Sequence, residues 1–294
     1  MPDPRLLDAL NAGEATPPLR DLDAASLLTT LIPELEAGRG FKQPELHYYD
    51  VLDHNLAAVA AFDASTRDTE DSAELRASIA WVDLEESLAR TIEGHSLRAL
   101  TRLACLLHDV AKPHTATIID DRLRFPRHGP TGAEMMAERL PALGFGEETT
   151  RLVCKLIRYH LRPGELVRNW PPTDRAVRKF VTDLDGHVLP LMLVNLSDGM
   201  ATRGPGYTRE NFRRHCNFVN YVLARAWGAF EDTEDPPLVN GDDLIQELDL
   251  QSGRLLGAIL TSLRRAQSER AITDRDEALA YARSVLATLP ADGS

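Results

Sequence analysis

The sequence lacks the features that mark disulfide-stabilised, secreted and membrane-spanning proteins. Its 294 residues include 3 cysteines, and no two of them form a CxxC pair. We therefore expect no disulfide framework and interpret the cysteines as small buried hydrophobic side chains of a cytoplasmic protein. No apolar run approaches the ~20 residues that span a bilayer. The N-terminus has no basic segment followed by an apolar core, so we predict no signal peptide.

Positive charge is also scarce in the chain as a whole. The formal net charge is -12, which disfavours a general nucleic-acid coat because such a protein needs a large basic surface. The cations are unevenly spread, however, and concentrate in residues 158–179 and 203–214. These two segments are either solvated helix faces or a basic rim around a site for an anionic substrate.

Helical periodicity dominates what is present. The chain is 43% hydrophobic and 27% charged, as globular proteins are, and its apolar residues recur at helical spacing almost throughout. We predict an all-α fold in which residues 114–126 form the only hairpin or a loop. Thr16-Pro17-Pro18 should separate the first two helices, and Pro113 should end the central one. The predicted helices cover residues 5–12, 21–37, 45–63, 68–93, 97–112, 128–143, 147–161, 174–183, 187–202 and 208–230.

One acidic, proline-rich segment at residues 231–237 indicates a boundary between domains. We predict an N-terminal helical segment over residues 1–40 and a main domain over residues 41–230. A linker over residues 231–241 would then lead to a C-terminal helical module within residues 242–294.

Polar residues in apolar helices give the first indication of chemistry. Asp198 follows a run of mostly apolar residues, and burying its carboxylate unpaired would cost several kcal/mol. An arginine, helix-end amides or a metal ion must offset that cost. His160 continues an apolar stripe and His54 lies inside a predicted helix, although each alone would more often be a hydrogen-bonded core residue. His108-Asp109 lies at the end of an apolar helical run, with Lys112 one turn later.

Imidazole nitrogens combined with carboxylate oxygens favour Mn, Fe, Co, Ni or Zn, with Mg also possible. These ligands suit one or two divalent ions, with Asp109 bridging two. In such sites a water loses its proton near neutral pH and attacks phosphorus, which makes Asp109 and Lys112 the candidate catalytic residues. Lys112 would place an ammonium near a phosphate oxygen, or is merely a solvated lysine at a helix end. The candidate metal ligands are His54, His108, Asp109, His128, His160 and Asp198, and the candidate substrate-binding residues are Lys112, Arg127, Arg162 and Arg203.

The same residues, in this order, resemble the HD superfamily of metal-dependent phosphohydrolases. A narrower likeness links the chain to the HD region of bacterial tRNA nucleotidyltransferases, the CCA-adding enzymes and their poly(A) polymerase relatives. The resemblance implies an HD-domain helical bundle with a C-terminal helical extension and covers residues 30–288. The segments that carry it are Gly40-Phe41-Lys42-Gln43-Pro44, Leu107-His108-Asp109-Val110-Ala111-Lys112-Pro113, Arg124-Phe125-Pro126-Arg127-His128, Leu196-Ser197-Asp198-Gly199 and, in the tail, Val239-Asn240-Gly241-Asp242.

Nucleotidyl transfer in that family needs a Gly-Ser turn and an Asp-x-Asp pair in an N-terminal head, and this sequence has neither arrangement. We therefore expect an HD body alone that acts as a phosphomonoesterase or phosphodiesterase on a nucleotide, cyclic phosphate or RNA-end phosphate. The alternative is a tRNA- or RNA-binding protein with a structural metal site, and a metal-dependent oxygenase is a more distant one. No role is predicted for His47, His95, His114, His187 and His215.

Overall fold

A computed structural model of the chain describes residues 2–167, 172–226, 238–248, 250, 254–268 and 271–288. These residues are almost entirely helical apart from short hairpins, so the predicted all-α class is confirmed. The chain divides into two compact units, Met1–Trp227 and Gly228–Ser294. The predicted linker lies mostly outside the described residues, and its exact bounds stay a prediction.

The first unit is a bundle of mostly short helices. Within its described residues the elements are α1 (Pro4–Asn11), α2 (Thr16–Ala24), α3 (Leu27–Leu31), a 3-10 helix (Pro33–Gly38), α4 (Val51–Thr66), a second 3-10 helix (Glu70–Ser72), α5 (Ala73–Ser78), α6 (Leu84–Ala89), β1 (Thr91–Ile92), β2 (His95–Ser96), α7 (Leu97–Leu107), α8 (Lys112–Thr115), β3 (Thr117–Ile119), β4 (Arg122–Arg124), α9 (His128–Ala142), α10 (Glu147–Tyr159), α11 (Arg162–Val167), α12 (Asp174–Asp183), α13 (Val188–Arg203), a third 3-10 helix (Gly204–Gly206) and α14 (Arg209–Ala226).

Helix α7 is the centre of this unit. Every residue of α7 except Arg98 is buried, because α4, α10 and α13 pack around it. The polar residues Arg98, Thr101 and Arg102 share one face of α7, and the other residues of the helix are apolar. The C-terminal end of α7 therefore delivers the residues that follow it, His108 and Asp109, into the interior of the bundle.

A buried ion pair attaches the N-terminal helices to this core. The Arg102 guanidinium donates to the Asp63 carboxylate at 2.7 Å, to the carbonyl oxygens of Leu10 and Ala12 at 2.8 Å each, and to that of Gly13 at 3.0 Å. All of these acceptors suit the fixed fork of a guanidinium. The pair therefore links α7 to α4 and to the turn between α1 and α2.

Prolines begin helices here rather than ending them. Thr16-Pro17-Pro18, predicted as a separator, forms the first turn of α2, and Pro113, predicted as a stop, lies in the first turn of α8. A proline has no N–H, and the first turn of a helix is where an N–H has no partner within the helix. Both predictions about these prolines are therefore wrong.

Two long predicted helices are shorter in the structure. The helix predicted at residues 45–63 begins at Val51, because the Asp50 side chain accepts a hydrogen bond from the Asp53 N–H and caps it. The helix predicted at residues 68–93 divides into α5 and α6. Positive φ angles at Glu93 and Gly94 then turn the chain into a β1–β2 hairpin, so the β3–β4 hairpin, which was predicted, is not the only one.

The second unit has a hydrophobic core of its own. Its described helices are α15 (Gly241–Leu248), α16 (Arg254–Ser268) and α17 (Arg275–Thr288), and each packs against the other two. Leu244, Ile259 and Ala278 are fully buried between them. The cysteines, all in the first unit, are free: Cys105 and Cys216 are buried and Cys154 is half-buried. None of the described helices is both long enough and apolar enough to cross a membrane.

Candidate metal centre

Six residues from five helices meet at the end of α7. His54 lies in α4 and Asp198 in α13, the two helices that flank α7. Each of the other four lies at a helix end: His108 and Asp109 directly follow α7, His128 begins α9, and His160 directly follows α10. The structure thus brings together all six residues named as metal ligands from the sequence.

Backbone carbonyls fix the orientation of three imidazole rings. The Nδ1–H groups of His108, His128 and His160 donate to the carbonyl oxygens three residues earlier, at 2.8, 2.7 and 2.7 Å. A carbonyl only accepts, so each Nδ1 carries the proton and each Nε2 presents a lone pair when the ring is neutral. This arrangement is the one in which a histidine is ready to ligate a metal through Nε2.

The first ligand group consists of His54, His108, Asp109 and Asp198. The Nε2 atoms of His54 and His108 are 3.1 Å apart. From His54 Nε2 the distance is 3.2 Å both to Asp109 Oδ2 and to Asp198 Oδ1. The corresponding distances from His108 Nε2 are 3.3 and 3.6 Å.

The second group consists of Asp109, His128 and His160. His128 Nε2 and His160 Nε2 are 3.2 Å apart, and they lie 3.2 and 3.6 Å from Asp109 Oδ1. Asp109 therefore belongs to both groups, with Oδ2 facing the first and Oδ1 facing the second.

These donor sets fit divalent cations. Metal–ligand bonds of about 2.0–2.2 Å separate neighbouring ligand atoms by about 2.8–3.6 Å, which matches the separations in both groups. Without a cation, the lone pairs of His128 and His160 would face each other across 3.2 Å. The buried Oδ1 of Asp109 also lacks a hydrogen-bond partner among the described residues. Such groups are costly to bury unless an ion engages them.

The electrostatics of the centre favour positive charge. Burial by itself raises the pKa of the Asp109 carboxyl, but Lys112 and His108 outweigh it and hold that pKa well below its usual range. Burial likewise opposes ionisation of Asp198, yet His108 and His54 hold its pKa well below the usual range. Both carboxylates are therefore charged at neutral pH. Burial opposes protonation of His108, but Asp109 and Asp198 raise the pKa of His108 to about 10. The centre combines two carboxylates with imidazole nitrogens from four histidines, a donor set that suits transition-metal ions.

Comparison with known proteins agrees with this geometry. Residues 78–184 match the family model described as the HD domain. The chain carries an HD domain. The matched residues include His108, Asp109, His128 and His160, while His54 and Asp198 lie outside the match and reach the centre through α4 and α13.

Two curated relatives extend the resemblance along most of the chain. A CC-adding tRNA nucleotidyltransferase of Thermus thermophilus is 28% identical over 273 residues, which cover 90% of this chain and 51% of the relative. An A-adding tRNA nucleotidyltransferase of Deinococcus radiodurans is 26% identical over 276 residues, covering 92% of this chain and 55% of the relative. The chain thus spans about half the length of these relatives, and the predicted resemblance is confirmed.

Lys112 of this HD domain lies inside the structure rather than at a solvated helix end. Its side chain is 7% exposed, and its Nζ lies 2.5 Å from Asp109 Oδ2. The ammonium also donates to Gln43 Oε1 at 2.6 Å and lies 3.4 Å from His47 Nε2. The ring of Phe125 covers it, with the centroid 5.4 Å from Nζ. Lys112 is therefore a fixed positive charge in contact with the carboxylate shared by the two groups.

Gln43 and His47 are neighbours of the centre that sequence reasoning did not single out. Burial, followed by the charge of Lys112, lowers the pKa of His47 to about 4, so the ring is neutral at pH 7. A signal for Gln43 was present in the sequence, because Gln43 lies in the Gly40–Pro44 segment that carries the family resemblance, whereas His47 lies outside that segment. Their contact with Lys112 depends on a loop whose path only the fold determines.

A second polar network, outside the matched residues, holds the helix end that carries His160. Asn195 donates to the His160 carbonyl oxygen at 3.2 Å and accepts from His215 Nε2 at 3.0 Å. Tyr207 Oη lies 3.2 Å from His215 Nδ1. His215, which had no predicted role, therefore supports the helix end that carries His160. Burial lowers the pKa of His215 to about 4.

The other predicted substrate-binding cations differ in whether their charge is already paired with a carboxylate. Arg162 is paired with Asp183 at 2.7 Å, whereas Arg127 and Arg203 are exposed. The Arg203 guanidinium donates to Asn211 Oδ1 at 3.2 Å. In the basic segment 158–179, Arg158 and Lys179 also have acidic partners, and Arg168 lies outside the described residues. Three cations of that segment therefore have acidic partners, two of them sharing Asp183.

Close packing at glycine brings His128 towards His160. A Cβ on Gly129 would lie 3.0 Å from the Arg158 carbonyl oxygen and 3.2 Å from that of Ile157. Glycine at this position lets the first turn of α9 approach the last turn of α10. Gly132, one turn later, packs against Ile157 in the same way.

Proposed function

We propose that this chain is a metal-dependent phosphohydrolase, a phosphomonoesterase or phosphodiesterase that acts on a nucleotide, a cyclic phosphate or an RNA-end phosphate. The observation that carries the proposal is the pair of ligand groups joined by the single carboxylate of Asp109. Two such groups side by side suit two ions that share one substrate phosphate. Membership of this site in an HD domain supports the same class of reaction.

The residues that would hold one or two divalent ions (Mn, Fe, Co, Ni or Zn, with Mg possible) are the six of the centre. When bound, such ions lower the pKa of water towards neutrality and neutralise charge on phosphoryl oxygens. The role of Asp109 is to hold both positions at a fixed separation, with one oxygen for each. The fixed tautomers of His108, His128 and His160 keep their lone pairs aimed inward and avoid a rearrangement on binding.

Lys112 is the second proposed catalytic residue. Its ammonium, held by Asp109 and Gln43, would neutralise an oxygen of the phosphate that approaches Asp109. Its stem is buried beside Phe125, so little side-chain entropy remains to be lost when substrate binds. Arg127 and Arg203, which are exposed, are the cations proposed to receive a substrate from solvent, and Arg162 would contribute only after separation from Asp183.

The test combines elemental analysis of the purified protein with hydrolysis assays on 2′,3′-cyclic nucleotides, mononucleotides and nucleoside triphosphates. Asp109→Ala should lose bound metal and hydrolysis together. Asp53→Asn is the matched control, because Asp53 is half-exposed on α4 and pairs with Arg20 away from the centre. Full activity in Asp109→Ala would overturn the proposal, as would purified protein that binds no divalent ion.

A second candidate function is binding of tRNA or another RNA, with the metal site serving only the structure. It is favoured by the names of both relatives, which are tRNA nucleotidyltransferases. This reading expects a salt-sensitive RNA complex and no turnover on the phosphoester panel. In either case we propose that the protein works in the cytoplasm, where free thiols such as Cys105 and Cys216 are kept reduced.

A further inference from the structure

We propose that the β3–β4 hairpin and the turn after it bind the phosphate backbone of a single-stranded nucleic acid whose end enters the metal centre. We call residues 117–127 the arginine hairpin, after Arg122, Arg124 and Arg127. The inference rests on the proposed function and narrows it, because it selects the end of an oligonucleotide over a free mononucleotide as substrate.

The pairing of the hairpin places two arginines on one face. Ile119 pairs with Arg122 and Thr117 with Arg124, so these four side chains share one face of the hairpin. The pair between them, Ile118 and Leu123, lies on the opposite face. Two residues of a strand span about 6.7 Å. Arg122 and Arg124 are both exposed and, at this spacing, can contact separate phosphates of one backbone.

The arginine hairpin has unneutralised charge in an acidic chain. No ion pair to Arg122, Arg124 or Arg127 occurs within the described part of the first unit, although the chain contains 45 acidic residues. Many arginines elsewhere in the same unit are paired, as Arg39 is with Asp23 and Arg139 with Glu34, whereas all three of the hairpin lack such a partner among the described residues. Cations left without carboxylates are available to an anion from solution.

The arginine hairpin is attached directly to the metal centre. The chain continues from Arg124 to Phe125, whose ring covers the Lys112 ammonium and whose carbonyl oxygen accepts from His128 Nδ1–H at 2.7 Å. Four residues span at most about 14 Å, so the Arg124 Cα lies within that distance of the His128 Cα. Arg127 is adjacent to His128. Phosphates bound along the hairpin would therefore lead towards the centre.

An exposed aromatic ring flanks the centre on the α13 side. The Tyr48 N–H donates to the Thr202 carbonyl oxygen at 3.0 Å, and Thr202 Oγ1 donates to Asp198 Oδ1 at 3.1 Å. Tyr48 is 64% exposed. Ile118, an apolar residue of the hairpin, is also exposed, at 66%. Nucleic-acid bases stack on exposed aromatic rings regardless of sequence, so Tyr48 gives a base near the reacting phosphate a place to pack.

These features fit a strand better than a mononucleotide. A mononucleotide places its phosphate where Asp109 and Lys112 lie and has nothing to offer cations further along the hairpin. A strand has a phosphate for each successive cation. The acidic turn at the hairpin tip, Asp120 and Asp121, would repel that strand, so we expect the backbone to cross the stem that carries Arg122 and Arg124 rather than the tip.

The direct test is fluorescence anisotropy with a fluorescein-labelled oligoribonucleotide of about eight nucleotides and a DNA strand of the same sequence. Arg122→Gln/Arg124→Gln should raise Kd roughly tenfold and reduce the slope of log K against log salt by about 1.4, the value for two contacts to a single strand. Asp120→Asn/Asp121→Asn should tighten binding, because it removes the two negative charges that repel the strand. Asparagine should preserve the turn, because it also tolerates the positive φ angles at these positions. Arg90→Gln is the control: Arg90 is exposed at the opposite end of α7, where its carbonyl oxygen accepts from the Leu97 N–H at 2.7 Å.

Hydrolysis separates this inference from the proposed function. The ratio of kcat/KM on an oligonucleotide ending in a 2′,3′-cyclic phosphate to kcat/KM on 2′,3′-cyclic AMP should fall roughly tenfold in Arg122→Gln/Arg124→Gln. Unchanged Kd and an unchanged ratio would overturn the arginine hairpin as a binding surface, while hydrolysis of 2′,3′-cyclic AMP would still stand. In another outcome, the wild-type protein hydrolyses neither substrate while the double variant binds the strand more weakly and with a smaller salt slope. That outcome would contradict the proposed function and support backbone binding by the hairpin. Equal effects on RNA and DNA would assign recognition to the backbone, and an effect on one alone would still support the hairpin while restricting its ligand to that nucleic acid.

Discussion

The Nε2 atoms of His128 and His160 lie 3.2 Å apart, although each ring donates its Nδ1–H to a backbone carbonyl. Both nitrogens therefore present lone pairs to each other when the rings are neutral. Two lone pairs at this distance repel unless a cation lies between them and the nearby Asp109 carboxylate. The two helix ends are therefore placed to receive that cation.

Metal content should respond differently to changes in the two ligand groups. His128→Ala removes a ligand from the second group alone, so about half of the bound metal should be lost. Asp109→Ala removes the shared ligand and should lose nearly all of it. Inductively coupled plasma mass spectrometry on the purified variants measures both, with His114→Ala as the control because His114 is exposed on α8. Complete loss of metal in His128→Ala would mean that the two groups do not bind ions separately.

The charge of Lys112 should act on turnover rather than on metal binding. Lys112→Met keeps much of the buried volume but removes the ammonium 2.5 Å from Asp109. We expect kcat/KM to fall about 100-fold, the usual loss for one electrostatic contact to the transition state, while metal content stays at the wild-type value. Lys42→Met, at an exposed position, is the matched control. A Lys112→Met variant that loses its metal would reassign the lysine to assembly of the centre.

Gly129 should be intolerant of any side chain. Gly129→Ala places a Cβ 3.0 Å from the Arg158 carbonyl oxygen, so α9 must move away from α10 and His128 from His160. We expect a loss of about 1–3 kcal/mol in the free energy of unfolding, together with weaker metal binding. Urea unfolding and metal titration measure the two effects. Gly164→Ala, where nothing lies within 4 Å of the added Cβ, should leave metal binding unchanged and should not lower the free energy of unfolding. Equal behaviour of the two variants would contradict the packing argument.

The free energy of unfolding should decrease as the pH is lowered, because His215 is buried in its neutral form. Burial lowers the pKa of His215 to about 4 in the folded state, below the value near 6.5 of the unfolded chain. The unfolded state therefore binds a proton that the folded state does not as the pH falls from about 6.5 to 4, and unfolding becomes easier by at most about 3 kcal/mol across that window. Above pH 6.5 neither the folded nor the unfolded state binds this proton, so His215 contributes no pH dependence there.

Urea unfolding at pH 7 and at pH 5 measures this contribution. His215→Gln, which removes the titrating group but keeps a polar side chain next to Asn195, should lose less stability between the two pH values than wild type does. His95→Gln is the comparison, because His95 lies on the β1–β2 hairpin, outside this network. The same pH response in wild type and His215→Gln would sink the prediction.

Local features of the sequence were enough to predict the helical class and the types of ligand. Apolar spacing is a local property, so α9, α10 and α13 could be predicted within two residues, and the imidazole and carboxylate groups that reach the centre could be named. The predicted central helix 97–112 was too long, because α7 ends at Leu107. Helix ends were harder, because the cap at Asp50 and the prolines of α2 and α8 depend on a few atoms of the backbone. The interrupted region 68–93 was missed for the same reason.

The way in which these groups are used depends on the packing of the helices. It divided the ligands into two sets around Asp109, buried Lys112 against Gln43, paired Arg162 with Asp183, and left Arg122 and Arg124 without acidic partners among the described residues. Each of these outcomes depends on distances of a few ångströms between segments far apart in the chain. Periodicity specifies which side of a helix is buried, but the packing of whole helices sets which charged and lone-pair atoms come within contact, and that contact determines the chemistry.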